Sequence, residues 1–317
     1  MNSNVIKSVA AVGLLFLFTM TSFPGKSYAW GKRGHETVGS LAARLLADKQ
    51  KGSEFLSEHS YDLGFYNNVP DIVWKSNPDT FKKESIQHFM DMEHYKDIKK
   101  SDWNDKREVF FKKHSVISKK AGRSWWRVQE LNQELTAITK SLKPRKIEKS
   151  EQHKRQAKWL LHAGVMGHYI ADLAQPLHVT DNYDGQKTDQ KGIHRWFEEE
   201  VVDHLYPNIT HLVYDKMLEQ WAEFHKKNKT KSVFELCQEL TENSQNQIDE
   251  LLSIDKKTGR KDLPKASNEY KTLAVDRLAL GSLYLAEIWS RQTGWNYNGD
   301  KFYLFDTKPA YVEPKDF

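Results

Sequence analysis

A chain of 317 residues, 38% of them hydrophobic, is long enough to bury one large core or two modest ones. Its one cysteine, Cys237, excludes an intramolecular disulfide framework and any thiolate-based metal site, so bound metal has to draw on His, Asp and Glu. The formal charge of +5 is too mild to identify a polyanionic partner, and the basic block at 226–231 reads as solvated surface.

Residues 1–29 read as a secretory signal. Lys7 supplies the basic region, Val9 to Met20 the apolar region, and Ser27-Tyr28-Ala29 a small-x-small cleavage site. The apolar run is shorter than the ~20 residues a membrane span needs, and nothing later is apolar enough to span. Loss of Lys7 and Lys26 takes the charge to +3. The expected product is exported, secreted or periplasmic, begins at Trp30, and is a monomer formed by a single domain over residues 30–317.

The new amino terminus reads Trp30-Gly31-Lys32-Arg33-Gly34-His35. Val38, Leu41, Ala42 and Leu45 follow at helical spacing, which predicts a helix starting near His35, with Gly31 and Gly34 leaving the preceding segment free to fold back. A free α-amine, with a pKa near ~7.7–8.0, deprotonates readily enough to bind a metal, and the Trp30 carbonyl completes a chelate. In the turn-rich passage that follows, Asp71 and His88 are candidate ligands. Asp79, Asp91, Glu93 and His94 compete with them, and spacing alone does not choose.

Val128, Leu131, Leu135, Ile138 and Leu142 advance by three and four residues and predict a core helix from Ser124 to Lys143, stopped by Pro144. A charged connector leads to a helix from about His153 to Ala174. Leu161, Gly164, Val165, His168 and Asp172 share one stripe of it, so its polar residues continue an apolar face into the protein. His162 lies off the stripe and reads as an ordinary polar position. His168 and Asp172, four apart, stand one turn above each other, and Pro176 turns the chain so that His178 returns toward them.

His194 and Glu198 repeat the four-residue spacing on a further helix, while Glu199 and Glu200 fall on solvated faces. Helices are also predicted over Val233 to Leu252 and over Tyr270 to Trp289, the latter apolar on several faces and therefore central. The aromatic tail from Trp295 to Phe317 reads as extended chain packed over the outside. With no alternation long enough for a sheet and no internal repeat, the fold class is all-α.

Trp30, His35, Asp71, His88, His168, Asp172, His178, His194 and Glu198 are more ligands than one ion uses, and suit two or three. The Trp-Gly-x-x-Gly-His terminus, the Gly-His-x-x-x-Asp-x-x-Gln-Pro-Leu-His core and the downstream His-x-x-x-Glu resemble the superfamily of S1/P1 nucleases and bacterial zinc-dependent phospholipases C, in order from Trp30 to Glu198. That resemblance implies a mostly helical domain with long loops around a cleft holding three Zn2+. One ion would take Asp71, His88, His168 and Asp172; a second the Trp30 amine and carbonyl, His35 and Asp172, which bridges; the third His178, His194 and Glu198.

The implied activity is hydrolysis of phosphate esters by metal-activated water, with Asp71 orienting that water or accepting its proton. Glu198 and the Ile193 to Glu198 run resemble the phospholipase version, whereas the amino terminus resembles the nucleases. The reading leans to phospholipid head groups as substrate, with single-stranded nucleic acid as the alternative. An exported, non-enzymatic metal-binding protein is the remote third reading, and Tyr66, Trp74, Tyr183 and Trp196 are aromatic candidates for the substrate surface.

Overall fold

A computed structural model describes residues 30–103, 106–115, 121–143, 146–205, 207–260, 268–295, 297, 299 and 306–315. The expected signal segment therefore lies outside the described residues, as do Phe302, Tyr303 and Phe305 of the tail. Among the described residues there is no strand, only an isolated bridge between Met90 and Gly122, and no helix is long and apolar enough to cross a membrane. The fold is all-α.

The helices run α1 (Gly31–Lys49), α2 (Glu54–Glu58), α3 (Ser60–Tyr66), α4 (Pro78–Glu84), α5 (Arg107–Lys113), α6 (Ser124–Leu142), α7 (Lys149–Ala174), α8 (Ile193–Arg195), α9 (Val202–Leu205), α10 (Ile209–Asn228), α11 (Val233–Gln245), α12 (Ile248–Thr258) and α13 (Asn268–Ser290). Two single turns of π-helix, Pro70–Trp74 and Trp196–Val201, interrupt this pattern, and each carries one of the candidate ligands, Asp71 and Glu198. Such turns insert one residue into the helical repeat and re-aim the side chains around it.

Helices α1, α7 and α13 pack against one another at the centre, with α3, α6, α10 and α11 around them. Helix α13 is buried almost all round, through Leu273, Leu278, Leu283 and Ile288 among others, which is why it shows no single apolar stripe. Its Arg277 donates to the Ala174 carbonyl at 2.7 Å, so a buried cation caps the C-terminal end of α7 just past Asp172. The start of α7 is capped by the Glu148 side chain, and α11 opens with a Ser232/Glu235 capping box.

Where α7 meets α3, side chains are missing by design. A Cβ on Gly164 would lie 2.3 Å from the Tyr66 Cβ, and one on Gly167 would lie 2.3 Å from the Asn67 amide nitrogen. This close approach brings the Asn67 carbonyl to His168. Gly164→Ala is expected to lower stability by about 1–3 kcal/mol, since the overpacking outweighs a helix-propensity gain of at most about 1 kcal/mol. A thermal melt shows it as a lower Tm; an unchanged or raised Tm would rule out the packing argument.

Several predicted boundaries shift. Helix α1 begins at Gly31, not near His35, and its first turn is packed rather than free: a Gly34 Cβ would sit 2.8 Å from the Trp30 Cβ. Helix α7 begins at Lys149, inside the expected charged connector. The single helix expected over Val233 to Leu252 is two, broken after Gln245. His162 is buried, with Nε2 2.9 Å from the Glu134 carboxylate. Of the tail, residues 306–315 run without helix or strand; Pro309 accepts from the Trp74 indole at 3.0 Å and Tyr311 stands edge-on to the same ring at 5.2 Å.

Candidate metal centre

Asp71 on its π-turn, His88 after α4, and His168 and Asp172 on α7 arrive from three parts of the chain at one buried point. His88 Nδ1 lies 3.1 Å from Asp172 Oδ2 and 3.6 Å from Asp71 Oδ1. His168 Nε2 lies 3.3 Å from Asp172 Oδ2 and 3.9 Å from Asp71 Oδ1. The other Asp172 oxygen, Oδ1, faces His35 Nε2 at 3.4 Å, so the two oxygens of this carboxylate address different neighbours. A third group forms alongside: Glu198 Oε1 is 2.6 Å from His194 Nε2 and 3.2 Å from His178 Nε2. His35/His168/Asp172, Asp71/His88/His168 and His178/His194/Glu198 are thus three sets of donors suited to holding a metal ion.

The loop that delivers His88 is held from several sides. Met90 N donates to the His178 carbonyl at 2.9 Å, Asp91 N to Ala121 at 2.9 Å, and the Ser124 hydroxyl to the Gln87 carbonyl at 2.6 Å. Gly122 makes the bridge possible, because its φ is +86° and any Cβ there would lie 2.0 Å from the Phe89 carbonyl oxygen.

The hydrogen bonds set which nitrogen each ring offers. His168, His178 and His194 each turn Nδ1 toward a backbone carbonyl, of Asn67 at 2.6 Å, His88 at 2.7 Å and Tyr183 at 2.7 Å. A carbonyl only accepts, so Nδ1 carries a proton and Nε2 is the nitrogen turned inward. His88 Nδ1 and His168 Nε2 approach to 2.9 Å. Burial holds both imidazoles well below their usual pKa, with neighbouring positive groups adding to it, and burial does the same to His35. Two neutral rings with their other nitrogens engaged point lone pairs at each other, which a shared cation relieves.

Orphaned atoms say the same. Both His35 ring nitrogens, Asp71 Oδ2, Asp172 Oδ1 and Glu198 Oε2 are buried without a hydrogen-bond partner, a costly state unless a further partner is bound. Burial, and then the Asp71 charge, push the Asp172 carboxyl well above the usual range. Burial pushes Glu198 upward too, but the His194 and His178 rings outweigh it and hold the carboxyl at about 2. The donor set fits zinc, whose protein ligands are imidazole nitrogen and carboxylate oxygen where no thiolate is available.

Of the competing acids, Asp79 is exposed in the first turn of α4, and Glu93 accepts from Thr180 and from the Asp181 backbone; Asp71 is the one beside His88. Trp30 is fully buried, donates its indole N–H to the Ala171 carbonyl at 2.7 Å, and accepts from Gly34 N at 3.1 Å through its own carbonyl. Glu199 and Glu200 are half-buried and both pair with Arg195.

Three neighbours went unassigned in the sequence. Glu84, four residues before His88, accepts at 3.1 Å from its Nε2. Gln175, inside the core motif, donates to Glu198 Oε1 at 2.6 Å. Lys75, four residues after Asp71, lies 3.1 Å from Asp71 Oδ1; burial would pull its pKa down, but Asp71 and Asp172 raise it above the usual value, so it stays charged. The i,i+4 spacing of Glu84 and Lys75 to candidate ligands was the available signal.

Two clefts flank the centre. One, of 540 Å³, is walled by His88, His178 and His194 and by Lys75, with Phe81, Phe89 and Tyr183 among its other residues. The other, of 440 Å³, is lined by Asp71, Ile72, Gly31, Lys32 and Arg33 among others. Tyr66 and Trp74 are buried, so of the aromatic candidates only Tyr183, 57% exposed, is open to a substrate over most of its surface.

Buried imidazoles and carboxylates gathered on a helical scaffold, with open clefts on either side, define a candidate metal centre. The S1/P1 nuclease family model matches residues 30–291, and the chain belongs to that family. Among solved structures it is similar to the alpha toxin from Clostridium absonum, at 13% identity and TM-score 0.48 over 82% of this chain, and to Clostridium perfringens alpha-toxin from an avian strain, at 10% identity and TM-score 0.42 over 84%. The chain spans 64% and 65% of the lengths of those two proteins. A comparison with curated proteins gives no match.

Proposed function

We propose that the chain is exported, loses residues 1–29, and works as a zinc-dependent phosphodiesterase on single-stranded nucleic acid, with residues 30–317 forming its one domain. The 540 Å³ cleft carries this reading: its lining brings the candidate ligands His88, His178 and His194 together with Phe81 and Tyr183, 46% and 57% exposed. Exposed rings beside a phosphodiester-cleaving centre are platforms on which bases stack.

Asp71, His88, His168 and Asp172 would hold one ion, His35, Asp172 and the Trp30 amine and carbonyl a second, and His178, His194 and Glu198 a third. Ions held there would lower the pKa of a water enough for it to lose a proton at neutral pH and would supply positive charge for the phosphoryl oxygens. Asp71, with Oδ2 lacking a hydrogen-bond partner, is the group to orient that water and take its proton. Lys75 adds a fixed positive charge on the cleft wall, where anionic substrate enters.

Purified mature protein should degrade single-stranded DNA and RNA faster than duplex. Tyr183→Ala should raise KM about 5- to 150-fold, since a base–aromatic stack is worth about 1–3 kcal/mol, and leave metal content unchanged. The phospholipid reading rests on Glu198, the carboxylate at the third position, and on the exposed apolar side chains Phe81 and Tyr183 of the same cleft, which would also seat acyl chains. Release of diacylglycerol from phosphatidylcholine with no cleavage of single strands would decide for lipid.

A further inference from the structure

Glu84 has no surface exposed to solvent and sits four residues before His88 at the end of α4. Its Oε1 accepts from the Tyr169 hydroxyl at 2.6 Å and meets His88 Nε2 at 3.1 Å. Tyr169 neighbours His168 on α7, and the Arg127 guanidinium lies over the Tyr169 ring at 5.6 Å. The carboxylate is therefore held in place from a helix other than its own.

His88 is the exception among the four rings whose orientation is set by hydrogen bonds. The other three spend Nδ1 on a carbonyl and turn Nε2 inward; His88 gives Nε2 to Glu84 and turns Nδ1 toward Asp172 and His168. We propose that Glu84 is a positioning residue that makes His88 present Nδ1 to the metal centre, an inference that rests on the metal-binding reading above and adds to it.

The consequence is steric as well as electronic. Nδ1 is closer to the backbone than Nε2, so an inward Nδ1 draws the His88 main chain toward the centre, and its carbonyl becomes the acceptor for His178 Nδ1 at 2.7 Å. One carboxylate thus sets the face of a ring in the first group of donors and, through that ring's backbone, the tautomer of a ring in the third. A carboxylate on the far nitrogen also raises the basicity of the ligating one.

The test uses full-length mature protein, its histidines labelled with 15N, loaded with zinc alone. Long-range 15N–1H correlation spectra distinguish ligation through Nδ1 from ligation through Nε2. One Nδ1-ligated histidine is expected in the wild type, absent from Glu84→Met. Glu84→Gln, close in shape and still carrying an acceptor oxygen, should keep the fold and the Nδ1 signal while zinc affinity at one position falls about 10- to 100-fold, the range typical of such supporting partners.

A purely structural Glu84 would lower the melting temperature of the metal-free variants and leave ring orientation and zinc affinity unchanged; that result overturns the proposal. So does wild-type protein that binds zinc with every ligating ring using Nε2. Wild-type protein that takes up no zinc overturns the metal-binding reading itself, and this proposal with it. If Glu84→Met does not fold, the affinity of Glu84→Gln decides.

Discussion

Asp172→Ala is expected to remove two metal ions together and to cut phosphodiester hydrolysis about a thousandfold or more, whereas Glu198→Ala removes one. The difference follows from which atoms face which neighbours. Asp172 Oδ2 addresses His88 and His168, and Oδ1 addresses His35, so the carboxylate is shared between two sets of donors. Glu198 Oε1 meets His178 and His194, which belong to one set of donors, and accepts from Gln175. Loss of a preorganised group that stabilises transition-state charge costs about 10²–10³ in rate, and removing a bridge compounds this by disturbing both positions.

Metal per chain, measured by mass spectrometry beside the rate on a chromogenic phosphodiester, checks the claim. Asp172→Ala retaining as much metal as Glu198→Ala would sink the bridging role. There is also an internal control. Without metal, Asp172 is a buried acid beside another acid, Asp71, so metal-free Asp172→Ala should melt no lower than metal-free wild type, which separates a lost ligand from a lost fold.

The parts of the centre that were legible in the sequence are those built on regular helix. His168 and Asp172 obey the i,i+4 rule on α7, and the apolar stripe they continue does point inward. Asp71 was harder because it sits in a π-turn, where the helical repeat gains a residue, and nothing local distinguishes it from Asp79. Glu198 begins on the expected helix, but only Ile193–Arg195 is α-helical before the chain widens.

Helix α10 escaped altogether. Ile209, Val213, Met217 and Trp221 recur every four residues and are buried, but Leu212 and Leu218, 47% and 37% exposed, blur the stripe from outside. Glu84 escaped for a different reason: an acid four residues from a histidine on a short helix reads as a solvated pair until tertiary packing buries it. The supporting shell is written in long-range contacts, Tyr169 to Glu84 and Asn67 to His168, which periodicity cannot show.

Stripping the metal with a chelator should lower the melting temperature by more than about 10 °C, reversibly on adding zinc, because the energy of binding is also folding energy. Metal-free protein leaves Asp71, Asp172 and Glu198 buried among imidazoles with atoms that have no partner. The response to acid should then differ between the two forms. His35, His88 and His168 have native pKa values below the unfolded value near ~6.5, so the unfolded chain takes up more protons and stability is lost as pH falls below that value. In metal-free protein two of the candidate ligands oppose this. Asp172 is raised well above its ordinary value by burial; His194 is pulled down by burial but raised overall by Glu198. Each contributes stability below its unfolded pKa that disappears as pH rises through its folded one. Bound metal cancels that opposition by keeping Asp172 ionised and His194 neutral. Melting temperature between pH 7 and pH 5 should therefore fall more steeply for zinc-loaded than for stripped protein, and equal slopes would mean that the ions do not engage these side chains.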